Sequence, residues 1–264
     1  MPHEPGLYKQ ISHDDYHALE YVSNSYLGRL NKCPASSQVA SEDTAAMQFG
    51  RAFHLCVLEP KLFEPQIAVF PDGIDRRTKD GKAAYADFLE SSKGKTVISA
   101  TDQQTIFNMA LSIYNHPFAK TVILEGRSEM TVIWQDKQTG LMCKARPDRI
   151  PDGDHGVLLD LKSCTDASPD AFTRSVRKYG YDRQAGMYIE GYNAVCNGKV
   201  DAFIFIAVEK SEPYRVECYT LEDTWREFGR SEFHRLLEKE LKCRENGYPH
   251  YEDAGLQTLY QPNY

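Results

Sequence analysis

RPDRIPDGDHGVLLDLKS, residues 146–163, holds the pattern that decides the fold of this 264-residue chain. Its second half, GVLLDLKS, predicts a strand because apolar residues fill it. In a strand, Asp160 and Lys162 share one face while Leu159 and Leu161 point to the other. VLLDL is too apolar for an open surface strand, and a buried charge persists only when it is paired or binds a metal. Spacing alone leaves two interpretations open, an internal ion pair or an active site.

The preceding segments, SEMTVIWQ and GLMCKARPD, predict a hairpin joined by DKQTG. Asp148 ends its second strand after a proline, and Glu129 begins its first. If the loop has four residues, Gln135 faces Gly140, and Glu129 lies diagonally on the same face as Asp148. A five-residue loop points the two carboxylates apart unless a bulge intervenes. We predict the four-residue register.

Carboxylates that converge at strand ends form a site of hard oxygen ligands. Such a site suits Mg²⁺ or Mn²⁺ and is poor for zinc. Asp148 and Asp160 are the first two candidate ligands of this kind, and Glu129 is the third. The sequence therefore predicts a divalent metal site at the end of the central strand.

The whole chain, residues 1–264, is predicted to be a single domain with two parts. Residues 1–125 are mostly helical, as in VSNSYLGRLNKC with its serine cap and TDQQTIFNMALSIYNHP with Thr101 or Asp102 as cap. Residues 126–264 contain the hairpin, the central strand, two helices, two further strands and a long C-terminal helix. This order predicts an α/β fold in which helices flank a central mixed β-sheet.

Composition sets only broad limits on function. The formal net charge of −7 argues weakly against nucleic acid, because a local cleft can differ from the whole surface. No apolar run reaches about eighteen residues and no signal peptide is evident, so we expect a soluble cytoplasmic protein without a membrane partner. The seven cysteines are scattered without a C-x-x-C, which argues against an iron–sulfur cluster.

The spacing P-D-(x)11-D-x-K, which ends at Lys162, resembles the PD-(D/E)xK nuclease signature. Other segments resemble, in order, the RecE (exonuclease VIII) family. They are VSNSYLGRLNKCPA, FGRAFHLCVLEP, RRTKDGKAAY, GKTVI, the W-x-D-x-x-T-G-x-x-C-(x)2-RPD stretch, DLKS and Q-x-x-x-Y. These matches run from Pro5 to about residue 240. The resemblance implies a PD-(D/E)xK nuclease fold with a helical N-terminal part.

The resemblance also implies a set of metal ligands. His54, in GRAFH, matches a histidine beside the metal site, and Asp160 matches a bridging ligand. One or two ions are expected, with Mg²⁺ as the cofactor and Mn²⁺ as a substitute. The implied ligands are His54, Glu129, Asp148, Asp160 and the backbone carbonyl of Leu161.

Four residues receive catalytic roles by the same resemblance. Lys162 matches the catalytic lysine, which orients or helps to deprotonate the attacking water and offsets charge in the transition state. Glu129 is counted among the catalytic groups as well as the ligands. Gln184 and Tyr188 stand four apart on one helix face. We expect Gln184 to contact the site and Tyr188 to support it.

Two basic segments are candidate DNA contacts, although charge runs are usually solvated faces. The first lies in RRTKDGK, interpreted as a clamp on the duplex or its 5′ end, and the second follows the central strand, where backbone contacts are expected. The candidate residues are Arg76, Arg77, Lys79 and Lys82 in the first, and Arg174, Arg177 and Lys178 in the second.

The function implied by the resemblance is a Mg²⁺-dependent 5′→3′ exonuclease on double-stranded DNA ends. It would leave 3′ single strands for recombination by annealing, with a RecT-type annealing protein as partner, in a phage or prophage system of a bacterial cell. A toroidal homo-oligomer, a tetramer, is also implied. The rivals are a Cas4-like or RecB-like nuclease of different polarity and a catalytically inactive DNA-binding relative. The inactive relative requires a lost ligand or lysine, and these residues are present.

Overall fold

The computed structural model describes residues 3–9, 11–40, 43–71, 73–75, 77–152, 156–196, 200–250, 256 and 258. The helices in these ranges are α1 His13–Ala18, α2 Asn24–Lys32, α3 Pro34–Ser37, α4 Ala45–Leu58, α5 Phe63–Gln66, α6 Lys79–Ser91, α7 Ala100–Asn115, α8 Ala119–Ile123, α9 Pro169–Tyr179, α10 Tyr181–Val195 and α11 Asp223–Asn246, with a 3-10 turn at Pro60–Leu62. The strands are β1 Gly6–Tyr8, β2 Ile67–Phe70, β3 Thr96–Ser99, β4 Arg127–Ser128, β5 Thr131–Gln135, β6 Met142–Ala145, β7 Arg149–Ile150, β8 Val157–Cys164, β9 Ala202–Glu209 and β10 Val216–Thr220.

The central sheet is mixed, as predicted, and has the strand order β10-β9-β8-β7-β4. β8 and β9 run parallel, from the pair Val157↔Ala202 to the pair Cys164↔Glu209, and the other neighbours are antiparallel. Helices α9 and α10 form the crossover that a parallel pair requires. The hairpin β5–β6 forms a second sheet with β1, and β2 pairs with β3 in a third.

The central strand β8 is apolar because helices cover both of its faces. Leu158 packs in a core with residues of α10, α11 and the hairpin, such as Phe233. Leu159 and Leu161 pack on the opposite face against α4 and α7, where Phe53 is fully buried. Asp160 and Lys162 therefore project toward α10, into a layer that already excludes most water.

Helices α10 and α11 approach each other closely at two glycines. A Cβ on Gly229 would lie 2.1 Å from the carbonyl oxygen of Asp182, and one on Gly186 would lie 2.6 Å from the backbone nitrogen of Arg230. This contact fixes the height of α10 above the sheet. In the part of the chain that the structure describes, no helix is long and apolar enough to cross a membrane.

The helix caps follow local sequence with one correction. Ser23 caps α2, its hydroxyl accepting from the Tyr26 amide, as predicted. The prediction of Thr101 or Asp102 as the cap of α7 is wrong. Ser99 caps this helix, and the Asp102 carboxylate reaches back to the Ser99 amide in a capping box. Asp102 thus serves as the third helical residue.

The hairpin register differs from the predicted four-residue loop. Gln135 faces Met142, so residues 136–141 lie between the paired positions. Asp136 accounts for the longer loop, because its side chain accepts from both the backbone amide and the hydroxyl of Thr139. A shift of two residues preserves the faces of a strand. Glu129 consequently lies directly across from Asp148, its amide donating to the Asp148 carbonyl at 3.3 Å, instead of diagonally.

Candidate active site

The candidate site lies where strands β7 and β8 diverge. They pair at Arg149↔Leu159, and beyond that point the edge of β8 has no partner strand among the described residues. The free backbone groups of Leu161 bind side chains instead. Its amide donates to Asp148 Oδ2 at 2.6 Å, and its carbonyl lies 2.9 Å from His54 Nε2. The strand edge therefore orients both a carboxylate and an imidazole.

His54 is presented to this edge by helix α4. Because Nε2 donates to the Leu161 carbonyl, Nδ1 is the nitrogen that faces Asp148, 3.4 Å from Oδ1. Burial lowers the pKa of His54, but the nearby carboxylates of Asp148, Glu129 and Asp160 outweigh it and raise the pKa to about 9. Without a metal, the imidazole is thus protonated at neutral pH and supplies positive charge to the carboxylates.

Glu129 completes a group of three potential ligands. The ligand atoms of His54, Glu129 and Asp148 lie within 4.8 Å of one another. Glu129 follows β4 with φ +52°, a left-handed conformation that interrupts the strand and turns the residue into the group. Burial and the neighbouring Asp148 raise its pKa to about 7. The pKa of Asp148, despite its burial, is lowered by His54, Lys162 and the Leu161 amide.

This group fits a divalent cation. Its donors are two carboxylates and one imidazole, and carboxylate oxygens suit Mg²⁺ and Mn²⁺. Among the described residues the Glu129 side chain accepts no hydrogen bond, and the charges of His54 and Arg146 lower its pKa less than burial and Asp148 raise it. A half-buried carboxylate of this kind requires positive charge nearby. His54, Glu129 and Asp148 are therefore the residues that would hold the ion.

Asp160, Lys162 and Gln184 form a second, connected group beside the first. The Asp160 carboxylate accepts from Gln184 Nε2 and lies 2.5 Å from Lys162 Nζ, and Lys162 donates to Gln184 Oε1 at 3.1 Å. Burial raises the pKa of Asp160 to about 6. Asp160 is not among the three mutually close ligands, and the Leu161 carbonyl already accepts from His54. Their roles as metal ligands stay predictions.

Burial lowers the pKa of Lys162, but Asp160 and other anionic neighbours reverse this and raise it above its usual value. Lys162 is therefore a cation at neutral pH. The ion pair with Asp160, one of the two interpretations open from spacing, exists, and it adjoins the ligand group. The internal ion pair and the candidate active site are therefore parts of the same arrangement of residues.

The helix residues Gln184 and Tyr188 are both buried on the side of α10 that faces the sheet. Gln184 contacts Asp160 and Lys162, whereas Tyr188 packs edge-on against Phe203, with ring centroids 6.0 Å apart. Burial raises the pKa of Tyr188 well above 10, so the phenol is neutral. Their catalytic and supporting roles remain predictions.

The first basic segment is only partly available as a DNA clamp. Arg76 lies outside the described residues. Arg77 is paired with Asp75 by two contacts of 3.0 and 3.1 Å, so its charge is largely offset. Lys79 and Lys82 are exposed on the first turn of α6. Contact between this segment and DNA stays a prediction.

The second basic segment lies on α9. Arg174, Arg177 and Lys178 are exposed at positions i, i+3 and i+4, which share a helix face. Arg177 lies over the ring of Trp225 at 5.9 Å. Helix α9 ends at the turn that leads into α10, the helix carrying Gln184. The end of α9 therefore lies close in the chain to the helix that carries Gln184, and contact of its basic face with DNA stays a prediction.

Tyr16 and Arg146 lie beside the site but were not predicted. The Arg146 guanidinium donates to Thr131 Oγ1 and the Ile11 carbonyl, and it lies 4.3 Å from the centroid of the Tyr16 ring. Its charge lowers the pKa of Glu129. Arg146 stands in the RPD motif, where its position was a usable signal. Tyr16 lies in a six-residue helix with no local signal for the site.

A second group of potential ligands, Asp136, Glu190 and His234, lies at the other end of β5. His234 Nε2 is 2.9 Å from Glu190 Oε2, which also accepts from Arg230 Nε at 2.7 Å. Asp136 accepts two hydrogen bonds within the hairpin loop. Partners within the protein therefore already satisfy much of this group.

A mixed sheet with converging carboxylates and a Lys–Asp pair at the edge of its central strand defines a PD-(D/E)xK-type nuclease domain. Comparison at the family level agrees. The family described as "PDDEXK-like domain of unknown function (DUF3799)" matches residues 16–254, and the chain belongs to this family.

A solved structure resembles the chain in fold. A protein from Eubacterium rectale described as a "Putative exonuclease" is 15% identical, with a TM-score of 0.59 over 97% of this chain and 96% of that one. At this identity the likeness shows the fold alone. A second structure, SSO0001, is 12% identical over 84% of this chain and 87% of that one; its TM-score of 0.32 is too low to bear on the fold. No curated protein matches the sequence.

Proposed function

We propose that this protein is a metal-dependent exodeoxyribonuclease that digests double-stranded DNA from its ends in the 5′→3′ direction. The observation that carries the nuclease assignment is one juxtaposition. Asp148 and His54, which form the ligand group with Glu129, bind the backbone of Leu161, and the Asp160–Lys162 pair begins at the adjacent residue of β8. Metal-dependent hydrolysis of a phosphodiester uses a cation and a charged donor at adjacent positions of this kind.

A divalent ion bound here supplies charge for the scissile phosphate and an acidified water. The protein's own part follows from its hydrogen bonds. Lys162, cationic and held by Asp160 and Gln184, is positioned to donate to a phosphate oxygen or to the attacking water. Because its pKa is raised, it serves as a donor of charge and hydrogen bonds more than as a base. Its loss should spare DNA binding more than turnover.

Polarity, substrate end and biological role rest on the resemblance to the RecE family. We infer 3′ single-stranded tails as the product, a RecT-type annealing protein as the partner, and recombination in a bacterial cell as the setting. A toroidal homo-oligomer would reconcile the net charge of −7 with DNA binding, since an acidic exterior can surround a basic channel. The rival, a Cas4-like or RecB-like nuclease of different polarity, differs in the end that it attacks.

The test uses linear duplex DNA labelled at either the 5′ or the 3′ end, incubated with Mg²⁺. Wild type should release the 5′ label first and leave covalently closed circles intact. Lys162→Ala should bind the same duplex but release no label. Glu190→Gln, in the second group of ligands, is the matched control and should digest DNA as wild type does.

Three results would contradict the proposal in different ways. Release of the 3′ label first overturns the polarity but keeps the nuclease. Cutting of closed circles overturns the exonuclease assignment. An absence of digestion with either Mg²⁺ or Mn²⁺ overturns the nuclease assignment itself.

A further inference from the structure

An exposed tyrosine stands at the turn between α9 and α10, beside the candidate site. The side chain of Tyr179 is large and apolar, yet 53% of the residue is exposed. Its ring stacks on Tyr181, with centroids 5.6 Å apart and an interplanar angle of 29°. Tyr181 in turn stacks on Phe205 in the core, at 5.7 Å and the same angle. Tyr179 is thus an exposed ring in contact with Tyr181, which in turn contacts the core.

Tyr181 also contacts Lys162, which belongs to the candidate site. Lys162 Nζ lies 4.4 Å from the centroid of the Tyr181 ring while it pairs with Asp160. One ring therefore separates Tyr179 from the charged end of Lys162. If Lys162 binds one chemical group of a ligand, the adjoining parts of that ligand can reach Tyr179.

The turn that carries Tyr179 is held in place. Gly180 ends α9 with φ +68°, and a Cβ there would meet the Arg183 guanidinium at 2.7 Å. Arg183 is itself fixed, because its Nε donates to Asn24 Oδ1 at 2.8 Å. The exposed ring consequently sits on a support anchored in two helices, and ordering it on binding costs little entropy.

One cation lies close to the exposed ring, and two more stand on the same helix. Lys178 Nζ lies 5.1 Å from the centroid of Tyr179, and Arg174 and Arg177 are exposed on the same helix. A flat aromatic face with cations beside it matches a nucleotide, whose base stacks while its phosphates pair with the cations. An apolar peptide would gain nothing from these charges.

We propose that Tyr179 is a base-stacking residue that holds a nucleobase next to the scissile phosphate. The inference rests on the proposed function, since it takes DNA as the ligand. The base stacks on the outer face of Tyr179, and Lys178 with the basic face of α9 binds the adjoining phosphates. Stacking makes the site tolerant of sequence, because every base has a π-face.

The experiment places 2-aminopurine, whose fluorescence is quenched by stacking, at each of the three terminal positions of either strand of a duplex. Binding is measured with Ca²⁺ in place of Mg²⁺, and turnover separately with Mg²⁺. Wild type should change the fluorescence at one position. Tyr179→Ala should lose that change and bind DNA about 5- to 100-fold more weakly, whereas Tyr179→Phe keeps both.

Turnover separates a stacking role from a structural one. Tyr179→Ala should raise KM by the same factor as it weakens binding, and kcat at saturating DNA should change less. Phe118→Ala removes a ring of similar exposure, 46%, outside this turn and should behave as wild type. Equal fluorescence and KM for Tyr179→Ala and an active wild type would overturn this inference alone. A wild type that neither binds nor digests DNA overturns the proposed function with it.

Discussion

Two groups of carboxylates and imidazole stand at opposite ends of strand β5. At its start, Glu129 meets His54 and Asp148; at its end, Asp136 meets Glu190 and His234. Each group contains one histidine and two acids, and each is closely spaced. Composition therefore cannot distinguish a metal site from an internal polar network.

The two groups differ in how far other residues of the protein pair with their carboxylates. Glu190 is bound by Arg230 and His234, and Asp136 by Thr139, so the second group is stabilised by the protein itself. In the first group, burial and a like charge raise the pKa of Glu129 to about 7. An arrangement that is unfavourable alone becomes favourable when a cation binds. Burial and repulsion between two carboxylates, which His54 and Arg146 offset only in part, distinguish the first group from the second.

The largest expected contrast between the two groups is in activity. Asp148→Asn removes one metal-binding carboxylate and should lower the rate of DNA digestion by about 10²–10³-fold or more. Asp136→Asn should leave the rate within about twofold of wild type. Initial rates on linear duplex at saturating Mg²⁺ measure both. Comparable losses in the two variants would contradict the assignment of the site.

The second contrast concerns pH. Protons compete with a metal for Glu129, whose pKa is about 7, and for His54, whose pKa is about 9. Both must be released for binding, so metal affinity should rise with pH from 6 to 8, approaching about tenfold per pH unit for each proton released. Mn²⁺ titrations at several pH values give the slope. A flat affinity over this range would show that neither group binds the ion.

The smallest contrast is in stability without metal. The Glu129 pKa is raised on folding, so its ionised form destabilises the protein fully above about pH 7, and this cost vanishes below its unfolded pKa. At pH 8, Glu129→Gln should therefore stabilise the protein by about 1 kcal/mol. Glu190→Gln loses its charged partners and should destabilise it by about 1 kcal/mol. Urea unfolding measures both, and changes of the same sign would contradict the contrast.

Sequence predicted the parts of this site that depend on local periodicity. Alternation along β8 placed Asp160 and Lys162 on one face. Helical spacing placed Gln184 and Tyr188 together, and the resemblance to the RecE family assigned Gln184 to the site. Glu129 was predicted on the same face as Asp148, and this held although the predicted loop length was wrong, because the register error was an even number of residues. A shift of two residues changes the pairing but not the face.

The remaining features depend on contacts distant in sequence. The alignment of the Leu161 backbone with His54 and Asp148 arises because β7 leaves β8 early, which no local pattern shows. Tyr16 reaches the site through Arg146, about 130 residues away in the chain. Arg77 was grouped with other cations, but Asp75 two residues earlier pairs with it. A run of cations in the sequence therefore does not show which charges are already paired, and the DNA-contact roles stay predictions.

Mn²⁺ binding at pH 8, counted by the loss of the free-ion electron paramagnetic resonance signal, tests the central claim most directly. We predict that wild type binds Mn²⁺, that Asp148→Asn and Glu129→Gln lose at least one ion, and that Glu190→Gln binds as wild type does. Binding that persists in Asp148→Asn and Glu129→Gln but disappears in Glu190→Gln would contradict the account, because it would place the metal at the other end of β5.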